Sequence, residues 1–273
     1  MGAFDKAKEF LRKYQNASEN SQKKQPLPSG FGDPGQDELV RNKKKERFSE
    51  LLKGLNRAEI LLSEEKHNRN KEIEMPDVSP RNITKSTKLS KLRDFVALDV
   101  ETTGIKAGGN DIIEVSAIHF HDFEPVEIFT TLVRPRKTIP ADASAINGIT
   151  DGMVKDAPKF SEIAPALDQF LGKMPVVAHN APFDIKHLFV NGLDSICSRN
   201  VYDTLQLSRK FCDDDIQDHK LATVCGEYNI YFDGAHRASA DALACGLLFV
   251  DFLVETFDGC YDKSDLVKKA EEQ

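Results

Sequence analysis

Several kinds of residue and segment are scarce or missing in this 273-residue sequence. It contains no tryptophan and only five cysteines, none of them in a CxxC pair. That pattern argues against a disulfide framework and against a zinc site, and it favours a reducing compartment. No run of about 18 apolar residues occurs, and the first ten residues carry charges where a signal peptide needs an apolar stretch. The sequence therefore predicts a cytoplasmic protein without a membrane span.

Charge is distributed unevenly along the chain. The net charge of −7 combines two opposite halves. Residues 1–93 hold 21 Lys and Arg against 14 Asp and Glu, a net +7, and the remaining residues hold 16 against 30, a net −14. A basic front half joined to an acidic back half predicts two regions with different partners.

The basic region, residues 1–92, contains two stretches with helical periodicity and two polar stretches. The polar stretches, 16–37 and 68–92, contain Pro and read as linkers, so the region is predicted to be helical and partly flexible. The second helix, about 37–67, carries the basic cluster 41–47 and an apolar stripe at Phe48, Leu51, Leu52 and Leu55. The basic cluster could contact phosphates, or the stripe could dock on a protein partner or on the rest of the chain. We favour docking, because an apolar stripe needs burial.

The pattern changes at Phe95. Three strand-like segments come first, and helical and short apolar segments then alternate. One helix is expected to be capped at Ser161, and others are expected over Thr204–Phe211, Leu221–Tyr228 and Ser239–Thr256. This order predicts a mixed α/β sheet with helices on both faces over 93–260. Residues 261–273 are predicted to be a polar tail.

Two acidic sites interrupt apolar patterns. Asp99 and Glu101 lie at i and i+2 near the end of the first strand, so both side chains point to the face that Phe95 and Ala97 share. Asp241 lies in line with Ala238 and the apolar residues of the last helix. A carboxylate on such a face is costly unless it is paired or binds a metal. The plainer alternatives are solvated acids at a strand end and a helix-start acid that interacts favourably with the helix N-terminus.

His236 and Asp184 are weaker candidates individually. His236 precedes Asp241 by five residues and is expected on the loop that enters the last helix, from which it could reach over a site. Asp184 is expected in the first turn of a helix that follows a short buried strand. An exposed loop histidine and a helix-start acid are the ordinary interpretations of these two residues.

Three segments together resemble the motifs of the DEDDh exonucleases, a family that includes the epsilon proofreading subunit, RNase T and oligoribonuclease. The segments are DVETTG at 99–104, HNAPFD at 179–184 and HRASAD at 236–241. Further matches are IIEVSAI at 112–118, AINGIT at 145–150 and YDTLQLSR at 202–209. The resemblance covers about residues 94–256. It implies an RNase H-like fold with a mixed five-stranded sheet and metal-dependent removal of nucleoside monophosphates from a 3′ end.

The resemblance also implies a role for each matched residue. Asp99 would bridge two Mg²⁺ or Mn²⁺ ions, Glu101 and Asp241 would complete the first metal site, and Asp184 would hold the second ion. His236 would act as the general base. Thr102, Thr103 and Gly104 would contact the terminal nucleotide, and Asn180 and Phe183 would line the substrate cleft. Phe183 could equally be a core residue, Glu114 is interpreted as a plain strand acid or a supporting one, and Asp203 and Thr204 are interpreted as structural.

Three functions are compatible with these residues. The first is exonucleolytic trimming of DNA 3′ ends, mostly single-stranded, in repair or proofreading. The second is RNA trimming, since the motifs do not report on recognition of the 2′-hydroxyl. The third is a non-catalytic adaptor that binds nucleic-acid ends. Because all five catalytic positions hold competent residues, the sequence favours an enzyme, with DNA the preferred substrate.

Overall fold

The computed structural model describes residues 75–212, 215–231 and 236–273, and the predictions for residues 1–74 lie outside this part of the chain. The described residues form a five-stranded sheet in the order β3-β2-β1-β4-β5. Its strands are β1 (Asp94–Thr102), β2 (Ile112–His121), β3 (Glu124–Leu132), β4 (Val176–Ala178) and β5 (Val201–Asp203). The first three pair antiparallel, whereas β4 runs parallel to both β1 and β5. The predicted mixed five-stranded sheet is confirmed.

The helices follow the strands in the expected alternation. They are α1 (Ala141–Asn147), α2 (Asp151–Val154), α3 (Phe160–Leu171), α4 (Ala181–Val190), α5 (Thr204–Phe211), α6 (Leu221–Glu227), α7 (Ala238–Thr256) and α8 (Lys263–Glu271). Short 3-10 turns span Leu89–Lys91 and Asp194–Ser198. Helices α5, α6 and α7 match their predicted ranges to within one residue. Among the described helices, none is long and apolar enough to cross a bilayer.

Helix α3 does not begin where the sequence predicted. Its first residue is Phe160, and the Glu162 carboxylate accepts a hydrogen bond from the backbone N–H of Lys159, at 2.7 Å. This reach-back contact satisfies a donor that the helix itself leaves unpaired. Ser161 therefore lies inside the helix, and its prediction as the capping residue is wrong.

Alternation along β1 separates two apolar cores. Val96, Leu98 and Val100 face a cluster that includes residues of α3 and α4, whereas Phe95 and Ala97 face a cluster dominated by α7. Successive side chains of a strand point to opposite faces, so each face of the sheet receives every second residue of β1. Helices therefore cover both faces of the sheet, as predicted.

Helix α7 lies unusually close to the sheet at Gly246. A Cβ atom at this position would lie 2.4 Å from the ring of Phe120 and 3.0 Å from the Cβ of Ala97. The ring of Phe120 stacks on that of Phe95, with centroids 4.7 Å apart, and Phe95 meets the edge of Phe249 at 5.0 Å. This contact fixes the height and the register of α7 above β1.

The folded unit extends beyond both of its predicted limits. On the N-terminal side, Ile83, Leu89 and Leu92 are buried in the same cluster as α7. The predicted boundary at residue 93 thus falls too late, because a few well-placed apolar residues in the polar segment 75–92 suffice to anchor it.

The C-terminal end differs from its prediction in the same way. Residues 261–273 contain α8, which begins after Asp262, a residue whose carboxylate caps the helix by accepting from the N–H groups of Ser264 and Asp265. Leu266 and Ala270, four residues apart, are buried against the α7 side of the core. The predicted polar tail is therefore corrected to a packed helix, because one apolar stripe is hidden in a strongly charged sequence.

Candidate active site

Three separate elements, β1, α4 and α7, bring the predicted acids to the C-terminal end of β1. Asp99 and Glu101 lie near the end of β1, on the face that α7 covers. Asp241 lies in the first turn of α7, and Asp184 lies in the first turn of α4. The buried Asp184 carboxylate accepts a hydrogen bond from the backbone N–H of Val100, at 3.1 Å, which ties α4 to β1 between the two strand acids. All four acids converge on a single site.

His236 joins this cluster from the loop that precedes α7. One ligand atom from each of Glu101, His236 and Asp241 lies within 4.8 Å of the other two. The histidine has a left-handed backbone conformation, with φ of 64°, and its side chain is exposed. Its backbone N–H donates to the carboxylate of Asp241 at 3.0 Å, so the acid helps to hold the loop in place. The structure thus brings together all five residues that the sequence singled out.

The acids raise one another's pKa. Burial, followed by the charges of Asp184 and Asp241, holds the pKa of Asp99 well above its usual value. Burial and the charge of Asp241 raise the pKa of Glu101 to about 8, against the lowering effect of a hydrogen bond from Asn147. Burial also raises the pKa of Asp184 and brings that of Asp241 to about 6. So many carboxylates in one desolvated place repel one another, and positive charge would relieve this repulsion.

These donors fit a divalent cation. Carboxylate oxygens are the ligands that Mg²⁺ and Mn²⁺ prefer, and Mg²⁺ is commonly held by a few carboxylates together with oxygens of the substrate. Glu101, Asp241 and His236 form such a donor set, and Asp99 and Asp184 are close enough for their charges to interact with it. The site can hold metal ions, and its chemistry would be that of an oxygen-rich centre.

Glu114 is buried next to the site, whereas the sequence left it as a plain strand acid or a supporting one. It lies on β2 directly across from Glu101, is only 3% exposed, and accepts three hydrogen bonds from the start of α7. Two come from Arg237, at 3.1 Å from Nε and 2.7 Å from Nη2, and one comes from the N–H of Ala238 at 3.0 Å. Strand pairing with Glu101 was the signal that could have identified Glu114, but pairing becomes known only once the register of the sheet is known.

The residues predicted to contact the terminal nucleotide form a tight turn after β1. The Thr102 hydroxyl donates to the carbonyl of Gly104 at 2.8 Å, and the Thr103 hydroxyl accepts from the N–H of Asp111 at 2.9 Å. Both threonines are largely buried. A Cβ atom at Gly104 would lie 2.7 Å from the side chain of Asn110, so the glycine admits this neighbouring side chain. The group that lies close to Gly104 in this structure is therefore the side chain of Asn110.

Asn180 and Phe183 lie at the start of α4, beside Asp184 in the chain. Asn180 is exposed and left-handed, with φ of 65°, and its N–H donates to the carboxylate of Asp203 at 2.8 Å. Asp203 also accepts from the N–H of Leu205 at 2.9 Å, which agrees with a structural role. Phe183 is half-buried, with its ring centroid 4.6 Å from that of His187. Part of its ring packs in the core, and part remains accessible.

Comparison with known proteins agrees with this arrangement. A family model described as exonuclease, RNase T, matches residues 96–249, which is more than half of the chain. The DNA polymerase III subunit epsilon of Treponema pallidum is 36% identical over 165 residues, which cover 58% of this chain and 76% of the relative. The PolC-type DNA polymerase III of Bacillus cereus is 33% identical over 175 residues, which cover 63% of this chain but only 12% of that polymerase.

Solved structures show the same fold. The Escherichia coli exonuclease I–single-stranded DNA complex superposes with a TM-score of 0.51 at 19% identity, over 60% of this chain and 40% of that one. Exonuclease I of Methylocaldum szegediense gives a TM-score of 0.50 at 20% identity, over 66% and 44% of the two chains. The RNase H-like architecture predicted from the three motifs is confirmed. With its sheet, its motifs and its family match in agreement, the chain belongs to the RNase T exonuclease family.

Proposed function

We propose that this protein is a metal-dependent 3′→5′ exonuclease that releases nucleoside 5′-monophosphates from DNA 3′ ends, in repair or proofreading. The convergence of Asp99, Glu101, Asp184, Asp241 and His236 from four separate elements carries this proposal. Family membership supports the class of reaction. The two polymerase III relatives, each more than 30% identical, support DNA as the substrate.

The four acids would hold the metal ions. Asp99 lies among the charges of Asp184, Asp241 and Glu101, which suits it to contact two ions at once. Glu101 and Asp241 would bind one of them, and Asp184, on the α4 side, would bind the other. When bound, a pair of divalent ions stabilises both the attacking and the leaving oxygen of a phosphodiester. The protein contributes the fixed positions of the four carboxylates, which α7 and the sheet maintain.

His236 would act as the general base. Its ring is exposed and close to Glu101 and Asp241, so it can reach a water molecule at the edge of the acid cluster and accept its proton. Histidine is the side chain that most often serves as a general base. The same proximity makes a role as a metal ligand the competing assignment, and metal affinity in a His236→Ala variant separates the two.

Substrate contacts would come from both sides of the cluster. The turn Thr102–Gly104 would lie beside the terminal nucleotide, where its backbone can approach the sugar and phosphate. Asn180 and the accessible part of Phe183 would line the opposite wall. An aromatic ring can stack on an unpaired base whatever the sequence, which supports a preference for single-stranded ends.

The deciding experiment uses 5′-labelled DNA and RNA oligonucleotides of the same sequence, with Mg²⁺ or with EDTA. We expect the DNA to shorten stepwise from its 3′ end with release of mononucleotides, and we expect EDTA to abolish the reaction. An Asp241→Asn variant should be inactive. Asp156→Asn should behave like the wild type, because Asp156 is an exposed acid that pairs with Lys155 and is not among the charges that raise the pKa values of the site acids. Undiminished hydrolysis after chelation contradicts the proposal, whereas faster shortening of RNA reassigns the substrate.

A further inference from the structure

Residues 236–238, at the start of α7, are hydrogen-bonded to two acids of the site. On one side, the backbone N–H of His236 itself donates to Asp241. On the other, Arg237 and the N–H of Ala238 both donate to Glu114 on β2. Three consecutive residues are therefore fixed by two carboxylates, and His236 is exposed.

The contact between Glu114 and Arg237 has the geometry of a strong charge-assisted pair. Two nitrogens of the guanidinium reach the two oxygens of the carboxylate, and such forked contacts fix orientation as well as distance. Glu114 is almost fully buried, and its charge adds to the repulsion among Asp99, Glu101 and Asp241. A buried acid in so acidic a place is unfavourable unless its partner is held firmly against it. Arg237 meets this requirement.

We propose that Glu114 and Arg237 are positioning residues that hold His236 over Glu101 and Asp241. The inference rests on the proposed function, in which His236 is the general base. His236 and Arg237 are adjacent, so a displaced arginine would carry the histidine with it. The backbone of His236 has a positive φ, which is uncommon for residues other than glycine, and the contacts of its neighbours help to hold it there. Lysine has no fork and cannot reproduce the contact.

The test compares Arg237→Lys and Glu114→Gln, each alone and combined with His236→Ala, in the full-length protein. Rates are measured on a short DNA oligonucleotide at saturating Mg²⁺. Misplacing a catalytic group by about 1 Å costs up to roughly 100-fold, so each single variant should lose about 10- to 100-fold in kcat with KM little changed. In the His236→Ala background the same substitutions should cost almost nothing, because the group they position is already gone.

Asp168→Asn is the matched control. It removes the charge of an acid in another arginine–carboxylate pair, in which Nη2 of Arg199 donates to Oδ1 of Asp168 at 2.7 Å; Asp168 lies in α3, and Arg199 directly follows the 3-10 turn Asp194–Ser198. This control should keep the wild-type kcat. Two results overturn the inference: single variants that keep the wild-type kcat, or losses of the same size with and without His236. Arg237→Lys retains the positive charge beside Glu114, so it remains informative if Glu114→Gln does not fold.

A second measurement does not depend on activity. The ring signal of His236 in carbon–proton NMR spectra, assigned by its loss in His236→Ala, should be single in the wild type and in Asp168→Asn. It should be split or broadened in Arg237→Lys. If the wild type does not hydrolyse DNA, the proposed function fails while this spectrum still tests the positioning. An unchanged His236 signal in Arg237→Lys overturns the inference even in an active enzyme.

Discussion

The face of β1 beneath α7 has an apolar end and an acidic end that differ in almost every physical respect. At the apolar end, α7 packs so closely on the sheet that a Cβ atom at position 246 would overlap the ring of Phe120. At the acidic end, Asp99 and Glu101 meet Asp241 from the same helix, and their charges repel. The same strand and helix thus make close apolar contacts at one end and electrostatically unfavourable contacts between acids at the other.

The apolar packing at one end of α7 holds the repelling acids at the other end in place. Helix α7 is continuous from Ala238 to Thr256, so the packing around Gly246 and Phe249 also fixes where Asp241 lies. Apolar burial at one end supplies stability that the repulsion at the other end removes. Active sites commonly cost stability in this way, and the surrounding core compensates.

The largest expected effect comes from removing the central acid. Asp99→Asn should abolish detectable hydrolysis and weaken Mg²⁺ binding, because Asp99 is the acid that the other carboxylates surround. The same change should raise the melting temperature of the metal-free protein, since it removes a carboxyl group whose ionisation burial and the neighbouring acids oppose. Calorimetry with and without Mg²⁺ measures both effects. A lower metal-free melting temperature would show that the acidic end is not a source of instability.

The next largest effect concerns the histidine. His236→Ala should slow hydrolysis by roughly 10²- to 10⁴-fold, the range typical of general acid–base catalysis, and leave Mg²⁺ affinity unchanged. Single-turnover rates and isothermal titration measure the two quantities. A marked loss of metal affinity would make His236 a ligand, and a rate close to that of the wild type would assign the base elsewhere.

At the apolar end, Gly246→Ala should destabilise the protein. The new methyl group would overlap the ring of Phe120, and overpacking a core typically costs about 1–3 kcal/mol. Gly226→Ala in α6 is the matched control, because no atom lies within 4 Å of its added Cβ. That change should raise stability by about 0.4–1 kcal/mol through a less flexible unfolded chain. Equal effects in urea unfolding would mean that α7 can move away from the sheet.

The acidic end should also make stability depend on pH. The pKa of Glu101 is raised from 4.5 to about 8, so the folded state binds a proton that the unfolded state has released. Its contribution is fully present below pH 4.5 and is lost as the pH rises to about 8. The metal-free melting temperature should therefore fall over this window. Glu101→Gln should flatten the decline, and an equally steep decline in that variant would assign it to other groups.

The smallest effect is expected from removing residues 1–74. A fragment of residues 75–273 keeps Ile83 and Leu89 in the apolar core and keeps all five site residues, so it should cleave a short oligonucleotide at the full-length rate. A fragment that begins at Lys85 loses Ile83 and should melt at a lower temperature. Slow cleavage by the longer fragment would mean that the N-terminal region contributes to the site.

Local pattern was enough to predict much of this domain. The period-2 alternation of β1 put Asp99 and Glu101 on one face, and the 3.6-residue period of α7 put Asp241 above an apolar stripe. These periods depend only on backbone geometry, so they can be recognised in the sequence without knowing which segments pack together. Helix α8 gives no such signal, because its two buried apolar residues lie in a strongly charged stretch.

By itself, the sequence determined the class of fold, the family and the five residues of the candidate site, because these follow from local periodicity and from motifs that are short stretches of chain. Only the tertiary structure decided the contacts of Glu114, the close approach at Gly246 and the packing of residues 75–92 and 261–273. Each of these depends on contacts between segments far apart in the chain. Long-range contacts of this kind are set by the register of the sheet and the height of α7 above it, which no local pattern encodes.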